Sequence, residues 1–181
     1  MKFSKITGLF CLILLLSLIF VGGTKAQNAD AKFTDIKNDQ IRGILQGNDS
    51  KLADLEKYST TVSGKGLALK IAILADGQKR NNSDLADVSK KAFERNGFEK
   101  VFIGPNYKAL KDFKDQGQFY SGRIEQMRQL ASEVKSTESA SISQEFDNFL
   151  KYFEDNNSNL LKTTTKEEKS FSFFGWLIKL F

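Results

Sequence analysis

An uncharged run at 6–23, with the apolar core LFCLILLLSLIFV at 9–21, follows Lys2 and Lys5 and precedes Thr24-Lys25-Ala26. Charged, apolar and small-residue stretches in that order form a secretory signal, with Thr24 and Ala26 at the −3 and −1 positions of a cut before Gln27. The apolar core is shorter than the roughly 20 residues that a spanning helix needs, which favours cleavage over a retained anchor. A retained anchor would still leave the rest of the chain outside the cytoplasm. The one cysteine, Cys11, lies inside the apolar run with no small-residue lipobox before it. The remaining 155 residues, 27–181, are therefore expected to fold after export without a disulfide, held by a hydrophobic core that a single domain of this size can supply.

Composition then removes most chemistry. There is no histidine in the chain, which excludes histidine triads, histidine acid/base work and histidine metal sites. Without a cysteine after the signal, thiol catalysis and thiolate zinc sites go too. The formal charge of +5 overstates the basicity of what remains. Lys2, Lys5 and Lys25 belong to the signal, which leaves 24 basic against 22 acidic side chains. That balance does not point to nucleic acid as a partner.

Hydrophobic periodicity predicts the fold. Ile36, Ile41, Ile44 and Leu45 fall at helical spacing, Gly47 and Asn48-Asp49-Ser50 read as a stop and a new cap, and Leu52, Leu55 and Tyr58 continue as a second helix. Leu67-Ala68-Leu69-Lys70-Ile71-Ala72-Ile73-Leu74-Ala75 is nearly continuous in apolar residues, the pattern of a strand covered on both faces. A loop follows at 76–82, then a helix capped by Ser83 and closed by Asn96-Gly97, then a second strand at 100–103 ended by Gly104-Pro105. Strand, helix, strand with short links predicts a right-handed parallel crossover. Ile124, Met127, Leu130, Ala131 and Val134 mark one later amphipathic helix, and Ile142, Phe146, Phe149, Leu150 and Phe153 another whose aromatic stripe reads as core. The expected fold class is α/β: one small domain at 33–155 with a parallel β-α-β centre covered by helices. A polar linker at 156–170 and an apolar tail at 171–181 follow it.

Two stretches carry the functional expectations. The tail holds Phe171, Phe173, Phe174, Trp176, Leu177, Ile178, Leu180 and Phe181, and as a helix it would reach only about 16 Å, half a hydrocarbon core. It suits an interfacial contact with a membrane surface or an envelope protein, with Trp176 at headgroup depth and Lys179 reaching water. The alternative is a return of the tail into a groove of the domain. The second stretch gathers Asp76, Lys79, Arg80, Asn82 and Asp84 at the carboxyl end of the first expected strand, where α/β sheets bind ligands. No cofactor is predicted, but Asp76 and Asp84 could hold a divalent cation such as calcium, or Lys79 and Arg80 an anion. A common Asp-Gly turn and a helix cap explain the same residues without a ligand. N-x-S/T triplets stand at Asn48, Asn81 and Asn156 and matter only in a glycosylating cell.

The order of LKIAIL, FERNGFEK and VFIG with its PNY turn, between an export signal and an apolar C-terminal stretch, resembles the TPM-domain group and its small actinobacterial membrane-protein relatives. That resemblance implies an extracytoplasmic α/β sandwich tethered at the membrane and engaged in envelope maintenance; some relatives are acid phosphatases or calcium binders. The chain lacks the group's long glycine-rich tail and full transmembrane helix. The leading expectation is therefore an exported, membrane-associated interaction or envelope-maintenance module without identified catalysis. Its alternatives are a divalent-metal-assisted, phosphatase-like hydrolase using Asp76 and Asp84, and a secreted effector that acts on a membrane through its tail.

Overall fold

A computed structural model describes residues 32–170, of which 83% are helical and none is in a strand. The α/β class and its parallel β-α-β centre are thus overturned. Five helices follow one another: α1 (Asp39–Ser59), α2 (Lys65–Ala92), α3 (Gly97–Ile103), α4 (Tyr107–Thr137) and α5 (Ala140–Glu168). The four long ones form an up-down-up-down bundle in which α1 packs on α2, α2 on α4, α4 on α5, and α5 closes the ring against α1.

The bundle follows from a four-three alternation of buried positions. In α1 these are Ile41, Leu45, Asn48, Leu52, Leu55 and Ser59. In α4 they are Leu110, Phe113, Gly117, Tyr120, Ile124, Met127, Ala131 and Val134, and in α5 Phe146, Phe149, Phe153 and Leu160 keep the same register. A repeat of this kind keeps one seam of a helix against its neighbours over its whole length. α1, at about 31 Å, is shorter than its partners at about 42–46 Å, and the turn before it makes up the difference: Phe33 and Ile36 are buried there, and the Arg42 guanidinium donates to the Ile36 carbonyl at 2.9 Å.

Three local expectations are corrected. Leu67–Ala75 is the first part of α2, with Leu67, Ile71, Leu74 and Ala75 buried but Leu69 and Ile73 turned out at 61% and 59% exposure. Two outward apolar side chains filled the gaps in a helical stripe and made it look continuous. The expected stop at Gly47 is instead continuous helix, because Gly47 makes room for α5: a Cβ there would lie 2.5 Å from the Tyr152 hydroxyl. The expected polar linker is helical as far as Glu168. The hydroxyls of Thr163, Thr164 and Thr165 donate to the carbonyls of Asn159, Leu160 and Leu161 at 2.9, 2.7 and 2.9 Å, so these polar residues are satisfied inside the helix rather than competing with it.

The two ends of the bundle differ. At one end the α1–α2 and α4–α5 turns meet, where the Ser63 and Gly64 amides donate to Glu138 Oε1 at 3.0 and 3.4 Å. Near it, the Tyr58 hydroxyl donates to the Ile142 carbonyl at 2.9 Å and its ring packs edge-on against Phe149. Burial first, then the carboxylates of Glu145, Glu138 and Asp147, push Tyr58 up from 10.0 to about 12. A folded-state value above the unfolded one means a contribution to stability that is whole below pH 10.0 and lost as pH rises through about 12. Denaturant midpoints should therefore fall over that window, and less steeply in Tyr58→Phe; equal slopes for the two proteins would refute the assignment.

Candidate functional site

The opposite end is built around α3. Its N-terminus carries a capping box, in which Asn96 Oδ1 accepts from the Glu99 amide and Glu99 accepts from the Asn96 amide, both at 2.9 Å. It stops at Gly104, whose φ of 86° is the one positive value among the described residues, a conformation that suits glycine. Arg95 closes the excursion by donating to the carbonyls of Gly104 and Pro105 at 2.6 and 3.0 Å. With its ends fixed, α3 sends no side chain into the core. The core beneath this end is filled by Phe93 and Phe113, stacked edge to face at 5.4 Å, and by Leu110.

The apolar side chains of α3 therefore face outward. Phe98 is 73% exposed, and Val101, Phe102 and Ile103 are each about two-fifths exposed. Phe98, Val101 and Phe102 share one stripe at i, i+3 and i+4, and the Phe98 and Phe102 rings touch at 4.6 Å. Lys100 points the other way and pairs with Glu167 at 2.5 Å, which binds α3 to the last turn of α5. Lys114 pairs with Glu168 at 2.6 Å. α5 ends at this pole, at Glu168, and residues 171–181 follow it in sequence. Sequence reasoning missed α3 because its VFI run was taken for a strand; the Asn96-x-x-Glu99 capping signature was the available signal.

The expected ligand loop does not exist. Asp76, Lys79, Arg80, Asn82 and Asp84 all lie within α2. Asp76 pairs with Arg80 one turn on at 2.7 Å, and Lys79 pairs with Glu56 of α1. Asp84 is exposed and stands two turns from Asp76, about 12 Å along the axis, too far to share an ion. No group of three acidic, histidine or cysteine side chains suited to a metal occurs among the described residues. The tail residues Phe171, Phe173, Phe174, Trp176, Leu177, Ile178, Leu180 and Phe181 lie outside the described residues, as does the signal. Among the described residues no helix is long and apolar enough to cross a membrane.

Asn82 belongs instead to a polar layer that crosses the middle of the core. It is fully buried and donates to the Leu45 carbonyl at 2.9 Å. Asn48 Nδ2 donates to Asn82 Oδ1 at 3.5 Å, and Asn156 Nδ2 donates to Asn48 Oδ1 at 2.7 Å. Tyr120 enters from α4; burial raises its pKa, and the nearby Asn48 amide lowers it somewhat without reaching hydrogen-bond geometry. Gln78 is fully buried with neither amide atom bonded. Each long helix contributes to this layer. The N-x-S triplet at Asn48 is consequently closed in the folded chain.

No family model matches the chain, and no curated protein or solved structure matches it either. The likeness to the TPM-domain group implied strands at LKIAIL and VFIG, and both stretches are helical.

Proposed function

We propose that this chain is an exported, membrane-associated interaction module of the cell envelope, held at the membrane by residues 171–181 and without a catalytic role. One observation supports the reading above the others. The bundle presents an exposed apolar helix, α3, at the pole where α5 ends, next in sequence to the apolar stretch 171–181. Contiguous apolar surface of this kind on a soluble body marks a contact with a membrane or a partner. A short tail with tryptophan and one lysine suits an interface, and α5 runs to Glu168, leaving only Lys169 and Ser170 before residue 171.

The test is fractionation of the chain expressed from Met1 in an exporting host, full length and cut after Lys169, with vesicle flotation of the recovered proteins. Only the full-length form should follow the membrane and need detergent for release. If both forms stay soluble and the cut form melts lower, the tail belongs to the core and the reading falls.

A further inference from the structure

We propose that the α3 pole itself docks on an anionic bilayer surface, α3 making an apolar contact of its own while unpaired lysines meet the headgroup charge. The inference rests on the membrane reading above and goes further by naming the lipid class and the residues that recognise it.

Charge is divided unevenly along the bundle. The described residues at the α3 pole, 32–42, 87–115 and 160–170, hold 13 basic against 9 acidic side chains, whereas the rest, 43–86 and 116–159, hold 10 basic against 12 acidic. A bundle that is +4 at one end and −2 elsewhere turns its positive end toward a negative surface.

The pairing pattern sharpens the asymmetry. At this pole Lys90, Lys100, Lys108, Lys111 and Lys114 are each bound to a carboxylate. Lys37, Lys91, Lys162, Lys166 and Lys169 are exposed and make no ion pair among the described residues. Of the carboxylates there, Glu94 accepts from Asn106 and Glu99 closes the capping box, which leaves Asp35. Lys162, Lys166 and Lys169 recur at i, i+4 and i+7 on the outer face of α5, beside the half-exposed Leu161, along a shallow concavity of about 800 Å³. Lysine heads over apolar stems, and an exposed apolar helix at the same end of the bundle, are the two components of interfacial binding.

Flotation with the full chain separates the contributions. The vesicles are phosphatidylcholine alone, or phosphatidylcholine and phosphatidylglycerol in equal parts. Each lysine near an anionic surface contributes roughly fivefold to partitioning, so the triple change Lys162→Gln/Lys166→Gln/Lys169→Gln should weaken binding to the mixed vesicles on the order of a hundredfold and leave binding to phosphatidylcholine unchanged. Added salt should have the same effect on the unaltered chain. The double change Phe98→Ser/Val101→Ser, at exposed positions, should weaken binding to both vesicles while the helical circular dichroism stays unaltered. The proposal is overturned if both variants bind like the unaltered chain while the cut after Lys169 releases it, because the tail is then the whole contact and the membrane reading survives alone. It is also overturned if the cut form binds more tightly than the full chain, which would mean that residues 171–181 cover α3. Absence of flotation by the unaltered chain on either vesicle sinks the membrane reading and this inference together.

Discussion

Asn48→Asp is expected to cost the bundle about 3–5 kcal/mol at neutral pH, a large share of the roughly 5–15 kcal/mol that holds a domain together. The change keeps the shape of the side chain and replaces its one donor by a charged oxygen. That oxygen would face Asn82 Oδ1, now 3.5 Å from Asn48 Nδ2. Asn82 has no free amide hydrogen geometry to offer by turning over, because its Nδ2 already donates to the Leu45 carbonyl. Only the Asn156 donor, at 2.7 Å, and the nearby unbonded Tyr120 hydroxyl would remain to compensate a carboxylate at a position with no solvent exposure.

The sign with pH follows. A buried carboxyl is raised above its unfolded value of about 3.9. Its contribution is then whole below that value and lost as pH rises through the folded one. The variant should therefore approach the parent in urea unfolding at acid pH and fall away from it toward neutrality. A deficit that stays constant across pH would show that the carboxylate reaches water and that the layer is open.

The opposite sign is expected at Gln78. Its amide is buried with no partner for either Nε2 or Oε1, and a buried polar group left unmade costs about 1–3 kcal/mol. Gln78→Met keeps the unbranched shape and removes both polar atoms. Thermal unfolding should move up by about 3–8 °C, given the entropy of unfolding of a chain this size. A lower melting temperature would mean that the Gln78 amide is satisfied in solution and that it holds the layer together as Asn48 does.

The two substitutions also indicate why the architecture was only half legible in the sequence. The later helices could be read because Ile124 to Val134 and Ile142 to Phe153 carry apolar residues at each seam position. The first half was misread because the seam itself contains polar residues there. Asn48, Gln78 and Asn82 are buried, and Asn48-Asp49-Ser50 beside Gly47 has the local chemistry of a cap and turn. Tertiary packing overrode it: the Tyr152 hydroxyl against Gly47 and the Asn156 amide on Asn48 both come from residues about a hundred positions away.

The candidate site shows the same division. Asp76 to Asn82 looked like a loop because glycine, lysine, arginine and asparagine cluster there, yet Gly77 is helical and lies under the Arg123 guanidinium of α4. The exposed apolar run at 98–103 carried correct information about hydrophobicity and misleading information about burial. Apolar residues at a helical stripe do not by themselves say which way the stripe faces.

The ring order of the helices bears on how such a chain acquires its structure. Three of the four helix contacts join consecutive long helices, and only α1 against α5 joins distant ones. Loop closure is therefore short for most of the bundle, which places it among quickly folding topologies. A chain that emerges from a channel N-terminus first could pair α1 with α2 and then add α4 as each appears. The layer at Asn48 would stay incomplete until Asn156 arrives, so the last helix to emerge supplies the partner that closes the first.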